Sequence, residues 1–126
     1  MSNRARVEKT IHVGTLVANF LQKTKRNLRA IELCKECLVL LNNLALGTED
    51  HFTKSCNRNT YIVMFNVYKA INDEKNAEKC ARKLLHMIKD LHDKETEGAL
   101  RLELACIYHR QRRFLEAARL CESAIN

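Results

Sequence analysis

The stretch Leu104–Asn126, LACIYHRQRRFLEAARLCESAIN, decides the fold. Leu104, Ala105 and Tyr108 share one face of a helix, because residues three and four apart are neighbours on its surface. A polar, basic break follows, His109-Arg110-Gln111-Arg112-Arg113. Phe114, Ala117, Cys121 and Ala124 then form a second apolar stripe at spacings of three and four. Small residues, Ala105, Ala117 and Ala124, stand wherever two such helices must approach closely. The pattern predicts a helical hairpin.

The same layout occurs twice upstream. Leu21 precedes Ala30, Tyr68 precedes Ala77 and Tyr108 precedes Ala117, each by nine residues. Four and seven residues after each Ala come Cys34 and Cys37, Ala81 and Leu84, Cys121 and Ala124. Four residues before each large landmark sit Val17, Met64 and Leu104. A large residue on one helix needs a small one opposite if two helices are to pack at about 8–10 Å. The register therefore predicts three copies of one helix–turn–helix unit.

The rest of the chain fits an all-α reading. Its 126 residues contain no proline, three glycines, 46% hydrophobic residues and 6% aromatics. An interior proline costs a helix about 3 kcal/mol, so its absence suits long helices. Residues 1–10 are polar, an arm or the frayed start of the first helix. The apolar residues Ile11, Val13, Leu16, Val17, Phe20 and Leu21 fit a helix ending near Lys23, and Asn27 is a candidate N-cap for the next. That second helix carries Leu28, Ile31, Cys34, Leu38, Leu41 and Leu44, with Gly47 as its C-terminal stop. The third begins near Thr53 or Ser55, buries Tyr61, Met64, Phe65, Tyr68 and Ile71, and breaks at Asn72-Asp73-Glu74. The fourth carries Ala77, Cys80, Ala81, Leu84, Leu85 and Ile88, and its pattern can extend to Asp93. The fifth starts near Thr96 with Leu100, Leu104, Ile107 and Tyr108, and the sixth near Phe114.

These units resemble tetratricopeptide repeats, the third most closely. They recur after 47 and then 40 residues (Leu21, Tyr68, Tyr108), longer than the standard repeat of about 34. Longer units are similar to those of kinesin light chains and of the Leu-Gly-Asn-repeat modulators of G-protein signalling. Leu46-Gly47-Thr48-Glu49-Asp50-His51 is similar to the inter-repeat segment of the former, with Phe52 where that family has proline. Leu91-His92-Asp93 followed by Glu97-Gly98-Ala99-Leu100 is similar to the joint in the latter. Phe65 departs from both, at a site where the motif has Gly or Ala.

The resemblance implies an all-α solenoid of three hairpins, six antiparallel helices in a right-handed superhelix. Residues 11–126 would form a single domain, with units at about 11–46, 53–93 and 96–126. It also implies a concave groove, lined by the first helix of each unit, that binds an extended peptide. In this register the groove carries Thr15, Asn19, Gln22 and Lys23, then Ile62, Asn66, Lys69 and Ala70, then Leu102, Cys106, His109 and Arg110. The peptide-binding candidates are Asn19, Lys23, Asn66, Lys69, His109 and Arg110. An Asn amide offers two donors and an acceptor to a peptide backbone. The cations beside it favour an acidic or C-terminal carboxylate peptide.

Charge agrees with that partner class. There are 22 Lys and Arg against 15 Asp and Glu, a net charge of +7. Two further basic clusters, Lys25-Arg26-Arg29 and Arg110-Arg112-Arg113, fall in turns along one edge and would suit phosphates. No aromatics are interleaved with them for base stacking, which argues against nucleic acid. Cys34-x-x-Cys37 lies on the buried stripe of the second helix and reads as core packing, not as a zinc or redox site. The histidines, 12, 51, 86, 92 and 109, form no metal-ligand pair. No phosphate loop, nucleophile elbow or kinase signature occurs, so the expectation is a non-enzymatic protein without cofactor or metal. There is no apolar run long enough for a membrane span and no signal peptide, so a cytoplasmic or nuclear setting is expected. No polar capping helix follows the last repeat, so Phe114, Leu120 and Ile125 are expected at an open end, available to a second copy or to the rest of a longer repeat protein.

Overall fold

A computed structural model describes residues 2–44, 50–89 and 93–125. These hold six α-helices and no strand. They are α1 Asn3–Lys23, α2 Asn27–Leu44, α3 His51–Ala70, α4 Glu74–Ile88, α5 Lys94–Arg110 and α6 Phe114–Ile125. The chain divides into two compact units, residues 1–73 with α1 to α3 and residues 74–126 with α4 to α6. In the first, α1 packs on α2, and α3 packs on both. In the second, α5 packs on α4 and on α6.

One turn recurs three times. After α1 the Arg26 N–H reaches back to the Leu21 carbonyl (2.8 Å) and the Lys25 N–H to that of Gln22 (3.1 Å). After α3, Asp73 reaches Tyr68 (2.9 Å) and Asn72 reaches Lys69 (3.1 Å). After α5, Arg113 reaches Tyr108 (2.8 Å) and Arg112 reaches His109 (3.0 Å). This double bond pattern is the Schellman stop, which satisfies helix-end carbonyls and needs a left-handed residue between the two donors. Lys25, Asn72 and Arg112 hold that place, with φ of 65°, 61° and 62°. The next helix then starts at once, at Asn27, Glu74 and Phe114. The nine-residue register read from the sequence is the length of this turn, and its landmarks Leu21, Tyr68, Tyr108, Ala30, Ala77 and Ala117 are all buried.

The helix starts follow cap chemistry. Ser2 accepts from the Ala5 N–H (3.1 Å), so α1 begins at Asn3, and most of the polar stretch 1–10 is the start of the first helix and not an arm. Asp50 accepts from the Thr53 N–H (2.9 Å), so α3 begins at His51, ahead of Thr53. That bond, with the Arg4 guanidinium at 2.6 Å, holds the Asp50 carboxyl below the usual carboxylate range. Asp93 caps α5 through the Thr96 N–H (3.1 Å), so it opens α5 and does not close α4. Asn27 is not a cap. It is the first residue of α2, Arg26 supplies the carbonyl that receives the Ala30 N–H, and the Asn27 Oδ1 has no hydrogen-bond partner among the described residues. Glu74 likewise opens α4 and is not part of the break. The stop expected at Gly47, and the reach of α4 over 90–92, lie outside the described residues.

In the first unit Ile11, Leu41 and Cys56 form a buried cluster, ringed by Val7, Leu38, Leu40, Leu44 and Phe52. The α1–α2 crossing is built on small residues. Ala18 and Ala30 are fully buried, and Gly14 faces the Cys37 thiol so closely that a Cβ there would stand 2.7 Å from Sγ. The apolar run of α1 is only partly internal, because Ile11 and Leu21 are buried while Val13, Leu16, Val17 and Phe20 are exposed. Helical periodicity finds the stripe but not what covers it. In α3, Met64, Phe65 and Tyr68 are buried as expected, with Cys56, Thr60, Val63 and Val67 added, while Ile71 is the C-cap and lies exposed. In the second unit the stripes of α4 and α5 are internal at Ala77, Cys80, Ala81, Leu84, Ile88, Leu100, Leu104, Ile107 and Tyr108.

Two stability predictions follow from these geometries. A left-handed residue with a side chain costs about 1 kcal/mol relative to glycine, and less for asparagine. Lys25→Gly and Arg112→Gly are therefore expected to raise the unfolding free energy read from urea denaturation by up to about 1 kcal/mol each, and Asn72→Gly to change it little. At the α1–α2 crossing, Gly14→Ala gains about 1 kcal/mol of helix propensity but meets Sγ, an overpacking cost of about 1–3 kcal/mol. It is expected to destabilise the protein, and to turn stabilising relative to its parent once Cys37→Ala removes the sulfur. A double-mutant cycle by chemical denaturation measures that coupling.

Candidate binding surfaces

The six peptide-binding candidates fall in both units. In the first, Asn19 on α1 and Asn66 on α3 are half-buried at equivalent repeat positions, on helices that pack against each other. Neighbouring Thr15 is turned back on its own helix, its hydroxyl donating to the Ile11 carbonyl (2.9 Å). Lys23, the last residue of α1, is exposed. The Lys69 ammonium stands 4.8 Å over the centre of the Phe65 ring. Phe65, the large residue at a site where the repeat motif has a small one, is thus both core and support for a cation.

In the second unit, the His109 ring meets Phe114 edge-on at 5.5 Å. Arg110 is exposed but not uncommitted, because its Nε lies 2.5 Å from the Glu74 carboxylate. Position 106, where a third amide would continue the pair, holds an exposed cysteine. The structure therefore sets the two Asn and two Lys candidates on packed helices of one unit, and leaves His109 and Arg110 with intramolecular partners in the other.

Sequence reasoning missed a cluster centred on Tyr108. The Arg113 guanidinium lies 4.0 Å from the centre of that ring, and the Arg82 guanidinium lies 5.6 Å from it. Arg82 also donates to the tyrosine hydroxyl. Glu78 accepts from both arginines, at 2.9 Å from Arg113 and 3.1 Å from Arg82. Glu116 takes Arg113 in a two-pronged pair at 2.6 and 2.9 Å, which holds the Glu116 carboxyl below its usual range. Arg113 had been grouped with Arg110 and Arg112 as a phosphate-facing edge. Two of these three are tied into ion pairs, and only Arg112 stands exposed without a partner among the described residues. Its sequence signal was weak, because the partners Glu78 and Arg82 come from a different helix. Beside the cluster a shallow pocket of about 440 Å³ has an apolar floor of Leu85, Leu104 and Leu120. His86, Lys89 and Arg119 stand at its rim.

The cysteines are packing residues for the most part. Cys34, Cys37, Cys56 and Cys80 are buried, Cys121 is half-buried and Cys106 is exposed, and none is in a disulfide. Burial pushes the thiols of Cys37 and Cys56 up, away from the reactive thiolate. Among the described residues no three His, Cys, Asp or Glu side chains are grouped to hold a metal ion. His12, His51, His86 and His109 are exposed, and His92 lies outside the described residues. No described helix is long and apolar enough to cross a membrane.

The burial pattern makes a direct prediction. With a thiol-specific alkylating reagent at pH 8, Cys106 is expected to be modified first. Cys34, Cys37, Cys56 and Cys80 are expected to react only as the protein unfolds. Peptide mass mapping over time reads the order, and early labelling of Cys34 or Cys37 would contradict the packing role.

No family model, characterised protein or solved structure matches the chain, so the tetratricopeptide resemblance rests on its internal repeat.

Proposed function

We propose that the chain is a non-enzymatic interaction scaffold of the tetratricopeptide type. Three helix–turn–helix units form an α-solenoid, and an acidic peptide binds in extended form along α1, α3 and α5. The observation that carries this reading is the turn, closed three times with the same two hydrogen bonds. It puts Asn19 and Asn66 in equivalent half-buried places, each with a lysine one helical turn on. A half-buried amide is held in a few orientations, so less freedom is lost when it grips a peptide backbone. Lys23 supplies charge attraction, and Lys69 supplies it from above an aromatic support.

A second reading is an oligomerising segment. It is favoured by Phe114, Leu115 and Ile125, all exposed on α6, of which Ile125 keeps 80% of its surface. A mass that rises with concentration in light scattering would support it, and a monomer throughout would remove it. A nucleic-acid reading is weakened by the carboxylates already paired with Arg110 and Arg113.

The scaffold reading is tested with arrayed extended peptides, acidic and charge-reversed. Wild type is expected to retain the acidic set. Asn19→Ala, Asn66→Ala and Lys23→Glu are each expected to weaken retention about tenfold, the worth of one hydrogen bond to a charged or well-placed group. The thermal midpoint of Lys23→Glu should be unchanged, because that side chain is exposed, and thermal melting checks that the two half-buried Asn→Ala variants stay folded at the assay temperature. Retention equal in all variants would overturn the proposal. Arg110→Glu is a poorer probe, since it also sets two carboxylates against each other at Glu74.

A further inference from the structure

α1 carries Val13, Leu16, Val17 and Phe20 along one side, exposed by 48%, 57%, 42% and 62%. Carried through the repeat register, the same four places in α3 are Thr60, Val63, Met64 and Val67, all buried. In α5 they are Leu100, Glu103, Leu104 and Ile107, and the three apolar ones are buried. The difference is in what lies alongside. α2 packs on α3, and α4 packs on α5. The side of α1 that is open is therefore the side that an amphipathic helix covers in the two later copies.

Next to that stripe lies an open groove of about 770 Å³ between α1 and α2. Val13, Val17, Leu33 and Leu40 make its apolar walls. Arg6 and Lys9 edge it on the α1 side, Glu36 on the α2 side. Both cations are exposed, and among the described residues neither meets a carboxylate. Groove and stripe together offer a continuous apolar track with a basic margin, separate from the side of α1 that carries Asn19.

We infer that this groove is a docking site for an amphipathic helix of a partner protein. The helix is apolar at three- and four-residue spacing, acidic along the flank that faces Arg6 and Lys9, and basic opposite Glu36. The character of its apolar side is given by α4, which lays Cys80, Ala81, Leu84 and Ile88 into the second unit. Charge complementarity sets the acidic flank. A second copy meets these demands poorly. The open side of α6 carries one cation and one carboxylate, Arg119 and Glu122, beside Leu115 and so offers a basic margin no net complement.

The test uses the full chain and two synthetic helices of about 18 residues with the same leucine stripe, one with a glutamate flank and one with a lysine flank. Fluorescence anisotropy reads the binding. Wild type is expected to bind the glutamate peptide saturably and at least about tenfold more tightly than the lysine peptide. Arg6→Glu with Lys9→Glu should invert that preference. Val17→Glu, at an exposed site where circular dichroism checks that the fold is kept, should weaken both peptides by about tenfold or more. Lys75→Glu, at an exposed cation of α4 outside both proposed sites, should leave both unchanged, which separates docking in this groove from general attraction to a basic surface. Absence of saturable binding, indifference to Val17→Glu or an unaltered preference in the charge-reversed variant would each overturn the proposal. So would a self-association that Val17→Glu abolishes, because a second copy would then be the occupant.

Discussion

Everything in this chain hangs on the hydrogen bond from the residue that ends each turn to the carbonyl of the large residue five places back. Arg26 to Leu21, Asp73 to Tyr68 and Arg113 to Tyr108 fix where one helix stops and the next begins. With that distance fixed, the alanine nine residues after each large landmark is delivered to a buried position. The turn is made without glycine. Lys25, Asn72 and Arg112 accept a left-handed backbone that costs a side-chain-bearing residue about 1 kcal/mol relative to glycine, and asparagine less. The bonds that satisfy helix-end carbonyls offset that cost. Lys and Arg also place positive charge at the negative end of the preceding helix dipole. The basic breaks in the sequence are thus turn chemistry before they are binding surface.

What was legible in the sequence was whatever this local geometry controls. The ends of α1 and α5, the start of α6 and the three-fold register were all open to a reader, because each depends on residues within ten places of one another. The start of α1 was not, since Ser2 caps a first turn with no apolar residue to announce it. The caps Asp50 and Asp93 were overlooked for a similar reason, each sitting in a polar stretch where several residues could serve. Partnerships across helices were the harder loss. The pairing of Arg110 with Glu74 joins positions 36 apart, and the Arg113–Glu78 pair joins positions 35 apart. No spacing rule reaches that far, so two arginines that looked available for ligand turned out to be committed within the chain.

The exposed stripe of α1 teaches the complementary lesson. Periodicity says which residues share a side, but burial depends on whether another helix arrives there. Val17, Met64 and Leu104 are the same position by register, yet only the last two are buried. Their helices have a packed neighbour on that side, and α1 is open there. Repetition in the sequence thus predicts equal local structure, and not equal environment.

That distinction bears on where the positive charge acts. Of the cations placed by the structure, Arg4 and Arg29 in the first unit and Arg82, Arg101, Arg110 and Arg113 in the second are each within 3.1 Å of a carboxylate. Such pairs are close to neutral from a few ångströms away and contribute little attraction beyond a Debye length. Arg6, Lys9 and Lys23 have no such partner among the described residues, and all three lie on α1. An approaching acidic chain therefore meets uncompensated positive charge along α1, whichever of its two sides it then settles on. On one side stand half-buried Asn19 and the lysine at its end, suited to an extended backbone. On the other stand Val13, Val17 and the basic margin, suited to a helix. The two sides differ in what they demand of the partner's conformation and share what they demand of its charge, so affinity for acid alone cannot tell them apart, whereas Val17 and Asn19 can.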